Sequence, residues 1–433
     1  MTVLPDPCDS AQLDGLSVCL VGINYAPETT GIAPYTTAMA HALSDAGAQV
    51  HVITGLPHYP QWSVTDTSYR HGRRWKEKID GIRVTRIRHA VPRTPNLWGR
   101  ARLESSFLPA ATAAVLRDRS DVIVAVSPGL SGVGAAMLGA RGRAVGVVVQ
   151  DLVGNGAGQS GTTHHGVGAA IAKVEYAALR RASLIGVVTP RFGDVLQLGG
   201  VAVERLVALP NFTHIVGVSA SRSQARSRLG WRDDVLTVVH TGNMGAKQGL
   251  TSVVAAARLA AERGDEVEFV LLGEGSRRAA LAELASGVPT LRIAAPLSCE
   301  DYPYALAAAD ILLVNELPGV AEMSMPSKVT SYCAARRPLI AAVADGGITH
   351  SVLADAGAAH LVAPGDAAAL LAGVERVAGD ADLQRRLVGK AAELHTVQFS
   401  AHAAVARYRS FVADLGAVRA PGPTVGAEQR ASG

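Results

Sequence analysis

Three short loops hold the residues best suited to chemistry, each where an apolar run gives way to a helical pattern. The first reads His240-Thr-Gly-Asn-Met-Gly-Ala-Lys-Gln-Gly249. Gly242, Gly245 and Gly249 let backbone approach a ligand, and the following helix offers free N–H groups and partial positive charge to an anion. Lys247 adds a full charge. A tight strand-to-helix turn would use the same glycines. The spacing is not G-x-x-x-x-G-K-[ST], which excludes a Walker loop. The second loop, Leu272-Gly-Glu-Gly-Ser276, offers Gly273 and Glu274, and a plain two-glycine turn explains it equally well. The third, Met323-Ser-Met-Pro-Ser-Lys-Val-Thr-Ser-Tyr332, puts Pro326, Ser327 and Lys328 in one first helical turn. A cation there is disfavoured unless an anion sits between it and the helix N–H groups. Lys247 and Lys328 are two of only six lysines, against 35 arginines. A compact ammonium acting as a point charge on phosphate is the chemistry this usage points to.

The first half carries a different set. Gly22-Ile-Asn-Tyr-Ala-Pro-Glu-Thr-Thr-Gly31 follows an apolar run but is not G-x-G-x-x-G, which argues against a nicotinamide site. Leu56-Pro-His-Tyr-Pro-Gln-Trp62 brings His58 and aromatics together. Tyr25, Tyr59 and their neighbours, mixed with arginines, suit stacking on sugar, contact with lipid head groups or nucleic-acid binding. His58 reads equally as a polar loop residue. Gln150-Asp151 ends an apolar run, so the Asp151 carboxylate can accept a proton, hold a hydroxyl or cap the next turn.

The elements that must position these loops alternate. Strands are predicted at 17–21, 49–54, 82–88, 121–126, 144–149, 183–188 and 205–208, with helices at 33–46, 98–118, 131–140, 167–181 and 190–198. Residues 56–80 show no clear period, and 151–166 is a glycine-rich loop. Pro210-Asn211 breaks the pattern. It restarts with strands at 235–240, 267–272, 290–293, 310–314, 338–342 and 358–362, and helices at 248–263, 276–286, 299–308, 327–335, 349–355, 367–378, 382–394 and 401–415. Alternation in both halves means α/β architecture: two doubly wound parallel sheets, with ligands beyond the C-terminal strand ends and the cleft between the domains as the default site. The expected domains are 1–212, 213–395, a helix at 396–415 packing back on the first, and a disordered tail at 416–433.

Composition bounds the rest. With 433 residues, 48% hydrophobic and 18% charged, the chain is a globular protein of two or three domains. Cys8, Cys19, Cys299 and Cys333 form no C-x-x-C pair, so buried free thiols are expected rather than a zinc or redox site. No signal-peptide pattern opens the sequence. The uncharged stretch 122–140 is broken by Ser127-Pro128-Gly129 and reads as strand, turn and helix rather than a membrane span, so a cytoplasmic location is expected. Net charge is +4, yet residues 70–102 hold eleven Arg or Lys against Glu77 and Asp80. Such a patch implies a phosphate-rich partner or an anionic membrane surface.

TGNMGAKQGL (241–250), MPSKVTSYCAARRPLIA (325–341), GLPHYPQW (55–62), NYAPETTGIAPYTTAMAHAL (24–43) and QDL (150–152) resemble glycosyltransferase family 4, and within it the subgroup named for colanic-acid and O-antigen polysaccharide synthesis. The resemblance runs from about residue 16 to 415. It implies the GT-B fold, with the acceptor in the first Rossmann-like domain and the nucleotide-sugar in the second. It also implies retention of anomeric configuration, and neither metal nor cofactor beyond the nucleotide-sugar co-substrate. Lys247 and Lys328 match the family's diphosphate-binding cations, and Gly31 the glycine near donor phosphate and acceptor. Many members carry E-x₇-E, but Ser331 stands at the second Glu here, Met323 eight residues before it, and Glu322 one off register. Asn243 stands where many have Arg, and Gln248 or Lys247 takes the usual lysine place.

The expected activity is transfer of a hexosyl or N-acetylhexosaminyl unit from a UDP- or GDP-sugar to a saccharide or polyprenyl-linked saccharide in envelope polysaccharide synthesis. Lys247, Lys328 and Asp151 are the expected catalytic residues. Gly31, Gly242, Asn243, Gln248, Gly273, Glu274, Ser327 and Ser331 are expected at the donor, and Tyr25, His58 and Tyr59 at the acceptor. Residues 70–102 would make a peripheral contact at the inner face of the membrane, with no nucleic-acid partner. A sugar-nucleotide 2-epimerase and a non-catalytic nucleotide-sugar-binding protein are the alternatives.

Overall fold

The computed structural model describes residues 11–93, 96–152, 165–215, 217–318 and 325–418. They form two compact units: residues up to Leu209 with those from Val405 onward, and Pro210–Ala404.

The first unit is built on β1 (Ser17–Val21), β2 (Gln49–Gly55), β3 (Arg74–Ile79), β4 (Ile82–Ile87), β5 (Val122–Val126), β6 (Ala144–Val149), β7 (Leu184–Val187) and β8 (Leu206–Ala208). Helices α1 (Ala33–Asp45), α2 (Leu97–Arg117), α3 (Leu130–Gly139), α4 (His165–Leu179) and α5 (Pro190–Leu198) intervene. The sheet order is β3-β4-β2-β1-β5-β6-β7-β8. Every residue of β5 and β6 is buried, as expected for central parallel strands covered on both faces. The uncharged stretch 122–140 is β5, a turn and α3, and no helix among the described residues is long and apolar enough to cross a membrane.

One expectation fails here. Residues 56–80 contain β3, which pairs antiparallel with β4, so this sheet is not wholly parallel. Arg74-Trp-Lys-Glu-Lys-Ile79 alternates exposed and half-buried. Its period is carried by charges rather than apolar residues, the usual dress of an edge strand, and hydrophobic periodicity does not register it.

The second unit has β9 (Leu236–Thr241), β10 (Val267–Leu272), β11 (Leu291–Ala294), β12 (Ile311–Asn315), β13 (Leu339–Ala342) and β14 (His360–Val362). Their order is β11-β10-β9-β12-β13-β14, all parallel. Its helices are α6 (Arg222–Leu229), α7 (Thr251–Arg263), α8 (Arg278–Leu284), α9 (Tyr302–Ala308), α10 (Lys328–Ala334), α11 (Ile348–Ala356), α12 (Ala367–Gly379) and α13 (Ala381–Leu394). Strand alternation sorts two cores. Val238, Phe269 and Leu313 face α7 and α12, whereas Val239, Val270 and Leu312 face α9 and α10. Strand order reverses between β1 and β5 in one unit and between β9 and β12 in the other. The loops beyond those strand ends are where a doubly wound sheet opens a crevice.

The last helix, α14 (Ala401–Ala417), crosses the unit boundary. Phe411 and Leu415 are fully buried, and a Cβ on Gly146 of β6 would lie 2.9 Å from the Phe411 ring. The helix reaches past residue 415 into the expected disordered tail, whose residues 419–433 lie outside those described, as does most of the glycine-rich loop. Cys19 and Cys333 are buried, but Cys299 is exposed, which corrects the expectation of buried thiols at that position.

Candidate active site

The crevice of the second unit is organised by the last two residues of β9. The first turn of α10 carries Lys328 and, four residues on, Tyr332, so both side chains project on one helix face. Tyr332 Oη accepts a hydrogen bond from the Thr241 backbone N–H at 2.8 Å and lies 3.1 Å from Thr241 Oγ1. Lys328 Nζ donates to His240 Nε2 at 2.9 Å. His240 Nδ1 lies 3.1 Å from the Leu313 carbonyl. A carbonyl only accepts and an ammonium only donates, so the imidazole is neutral, with its proton on Nδ1. His240 is completely buried, and burial, then the Lys328 charge, holds its pKa well below the ordinary value.

The Lys328 side chain passes beside the first glycine loop. A Cβ on Gly242 would meet Lys328 Cε at 3.6 Å and Nζ at 3.8 Å. Gly242 has φ +103°, open to glycine. The second loop packs behind it: a Cβ on Gly273 would stand 1.8 Å from the Gly242 carbonyl oxygen. Gly273 is therefore required by contact between the two loops. Met244 N–H donates to the Glu274 carbonyl at 2.7 Å. Glu274 itself is exposed and pairs with Arg278 one turn on. The end of β12 fixes the other side. Asn315 Nδ2 donates to the Gln248 and Gly249 carbonyls at 2.8 and 3.2 Å, and Leu317 N–H donates to the Lys247 carbonyl at 2.8 Å.

Of the expected donor residues, the fold gathers Lys328, Gly242, Asn243, Gly273 and Glu274 around one strand-end crevice, with Lys247 exposed in the short 3₁₀ turn Ala246–Gln248. Ser327 is exposed beside Lys328. Gln248 folds back, its Oε1 accepting from Gly245 N–H at 3.1 Å. Ser331 is buried, and its hydroxyl donates to the Lys328 carbonyl. Both side chains are thus engaged with the protein. Met323 and Glu322 lie outside the described residues. His240, Tyr332 and Asn315 were not among the expected site residues. His240 opens the first glycine loop and Tyr332 closes the third, but the burial of His240 with both ring nitrogens occupied is a tertiary fact.

In the first unit, Glu28 organises the corresponding loops. Its Oε1 accepts from His58 and Tyr59 N–H at 2.8 and 2.9 Å, and its Oε2 from Asn24 Nδ2 at 2.8 Å. The half-buried Tyr59 ring lies over Gly31, whose φ is +67°. His58 is buried, donates from Nδ1 to the Leu56 carbonyl at 2.9 Å, and meets His89 edge-on. Tyr25 turns inward, 1% exposed, with its hydroxyl pKa pushed up to about 12 by burial. Asp151 is exposed, and its Oδ1 accepts from Leu152 N–H at 2.9 Å; the turn it is expected to cap lies outside the described residues. Glu104, from α2, caps α3 through Ser131 N–H, and burial raises its pKa.

Cys19, His51 and Asp118 are the one group among the described residues with metal-ligand reach. Hydrogen bonds account for it. His51 bonds Asp118 at 2.6 Å through Nδ1 and Thr85 at 2.9 Å through Nε2. Burial raises the Asp118 pKa, but bonds from His51 and Ser120 outweigh it and hold the carboxyl at about 2, while burial keeps the Cys19 thiol protonated. This cluster borders a cavity of about 450 Å³ at the N-terminal ends of the strands, opposite the loops above.

Comparison with known proteins names the class. Residues 30–212 match the glycosyl transferase 4-like domain, and residues 235–380 match glycosyl transferases group 1. WcaI of Escherichia coli K12, named as a colanic acid biosynthesis glycosyl transferase, is 29% identical over 337 residues, 74% of this chain and 81% of that one. Sucrose-phosphate synthase from Thermosynechococcus elongatus superposes with TM-score 0.70 at 18% identity, covering 93% of this chain and 99% of that one. Anabaena Alr3699/HepE, solved in complex with UDP-glucose, gives 0.65 at 13% identity, covering 93% and 100%. With both domain matches in order and this fold under them, the chain belongs to glycosyltransferase family 4 and adopts the GT-B architecture of two Rossmann-like domains.

Proposed function

We propose that the protein is a retaining, metal-independent glycosyltransferase of envelope polysaccharide synthesis. It would move a hexosyl or N-acetylhexosaminyl unit from a UDP- or GDP-sugar to a saccharide, carried on polyprenyl lipid, at the cytoplasmic face of the membrane. The observation that carries this reading is the Lys328 ammonium held along the Gly242 loop, with Lys247 exposed in the next turn. The names of WcaI and of HepE with UDP-glucose point the same way.

In the reaction, the bond from the anomeric carbon to the diphosphate breaks, and a bond to the acceptor oxygen forms on the same face. Lys328 and Lys247 stabilise the charge that grows on the leaving diphosphate. The acceptor proton passes to a leaving phosphate oxygen. Asp151 orients the acceptor hydroxyl.

The basic run resolves into two populations. Arg86 is 1% exposed and donates to Glu77 and the Gly55 carbonyl, and Arg88 donates to the Gly72 and Arg70 carbonyls; both are structural. Strand alternation places Arg74, Lys76 and Lys78 on one exposed face, with Arg83 opposite Lys78. This face is the part proposed to meet anionic lipid, where each cation contributes about 1 kcal/mol.

The test is a thermal-shift screen with UDP, GDP and ADP, followed by transfer to a lipid-linked sugar with analysis of the product anomer. A shift with one nucleoside diphosphate and a product of retained configuration are expected. Absence of any nucleotide shift or of transfer overturns the reading, and an inverted product overturns its mechanism.

A further inference from the structure

We infer that His240 is a positioning residue for donor binding: its bare Nε2 holds the Lys328 ammonium against the Gly242 loop, at the place where a diphosphate would sit. The role rests on the donor reading above, but the geometry behind it stands on this unit alone. Lysine ends in a flexible four-carbon stem, and a free ammonium at a loop would sample many rotamers. Here the His240 Nε2 acceptor narrows that choice. His240 can do so because it is fixed twice over: by its place at the penultimate position of central strand β9, and by its Nδ1–H bond to the Leu313 carbonyl on neighbouring β12.

The arrangement also explains why a neutral acceptor is used. A carboxylate at this position would neutralise Lys328 and weaken its pull on phosphate, whereas an uncharged imidazole directs the ammonium without itself neutralising it. Burial keeps the ring from protonating, since the charged form would face Lys328 without solvent. Thr241 performs the companion task on the same helix by binding Tyr332. Consecutive residues of one strand thus lock residues 328 and 332 of α10, the first setting the charge and the second the helix.

Two measurements test this. The first needs no ligand: the ¹⁵N spectrum of the His240 ring at neutral pH. The expected result is protonated Nδ1 and bare Nε2, with the Nε2 signal moving in K328M. An Nε2–H tautomer, a charged ring or an unmoved signal overturns the inference. The second is calorimetric binding of UDP or GDP and of the matching nucleoside to wild type, H240A, H240Q, K328A and the H240A/K328A double variant. H240A should weaken the diphosphate about tenfold, the scale of one charge-assisted hydrogen bond, and change nucleoside binding less than twofold. H240Q, whose amide carries an acceptor oxygen and two N–H donors, should restore most of the loss. The double variant should bind no worse than K328A. Equal losses for nucleoside and diphosphate, or additive losses in the double variant, overturn it. If wild type binds neither diphosphate, the donor reading fails instead, and the spectrum still decides whether His240 holds Lys328.

Discussion

Both units close their first strand with a glycine-containing loop, and the two loops use their polar groups in opposite ways. In the first unit the carboxylate and the loop N–H groups satisfy one another, and among the expected acceptor side chains the buried Tyr25 hydroxyl lacks a partner. Glu28 accepts three hydrogen bonds, Tyr59 covers Gly31, and His58 and His89 are buried ring against ring. In the second unit the loop backbone is braced from behind by Gly273 and Asn315, while Lys247 and Asn243 remain exposed and Lys328 is aimed along it. The first loop set is a finished platform, and the second is a braced cationic receptor. That contrast accords with the proposed division between a neutral hydroxyl acceptor and a charged diphosphate donor, and it can be broken or sharpened.

The largest expected effect lies in the second unit. Lys328→Ala should lower turnover roughly 10²–10³-fold, by analogy with loss of one preorganised donor to a transition-state charge. Its thermal midpoint should fall only modestly, by the cost of leaving the buried His240 Nε2 without its donor. Unchanged steady-state turnover would remove Lys328 from the mechanism.

The first unit should instead respond in stability. Burial, then neighbouring His58, holds the His89 pKa at about 4 against an ordinary 6.5. The unfolded chain therefore binds this proton more tightly. The stabilisation is complete above about pH 6.5 and is lost as pH falls toward 4, by up to about 3 kcal/mol. Urea midpoints measured across that range should fall with pH, and fall less steeply in His89→Asn. His240, His214, His360 and His395 are depressed in the same direction and add to the slope. An identical slope in the variant would refute the assignment to His89.

Glu28→Ala should cost about 1–3 kcal/mol of stability, because the His58 and Tyr59 N–H groups lose their acceptor in a buried site. Equilibrium unfolding reads this directly. Glu28→Gln keeps one acceptor oxygen and should lose less; if the two variants match, the carboxylate is not what ties these loops together.

The smallest effect per residue belongs to the exposed cationic face. Charge reversal at Arg74, Lys76 and Arg83 should weaken sedimentation with phosphatidylglycerol vesicles and leave soluble-acceptor turnover unchanged. The difference should fade at high salt, since it is electrostatic. Equal sedimentation of variant and wild type on these vesicles would show the face to be merely solvated.

Much of this protein is legible from residue order. Apolar runs such as Val122–Val126 and Ala144–Val149 announce buried parallel strands, because both faces of a central strand need apolar side chains. The glycine loops and the two unusual lysines mark a candidate anion site, because backbone freedom and point charge are local properties of residue type. Other features required the folded chain. β3 hides its period in charges because only an edge can tolerate them. Gly273 reads as a ligand-facing glycine, yet its missing side chain is filled by the Gly242 carbonyl, a contact between loops 31 residues apart in sequence. The arginines of residues 70–102 look alike in the sequence, but Arg86 is buried among carbonyls while Arg83 faces solvent. The pairing of His240 with Lys328 spans 88 residues and depends on β9 and α10 packing together. Sequence names the groups that can do chemistry. Which of them are satisfied, and which remain available to a ligand, is decided only when distant strand ends meet at one edge of a sheet.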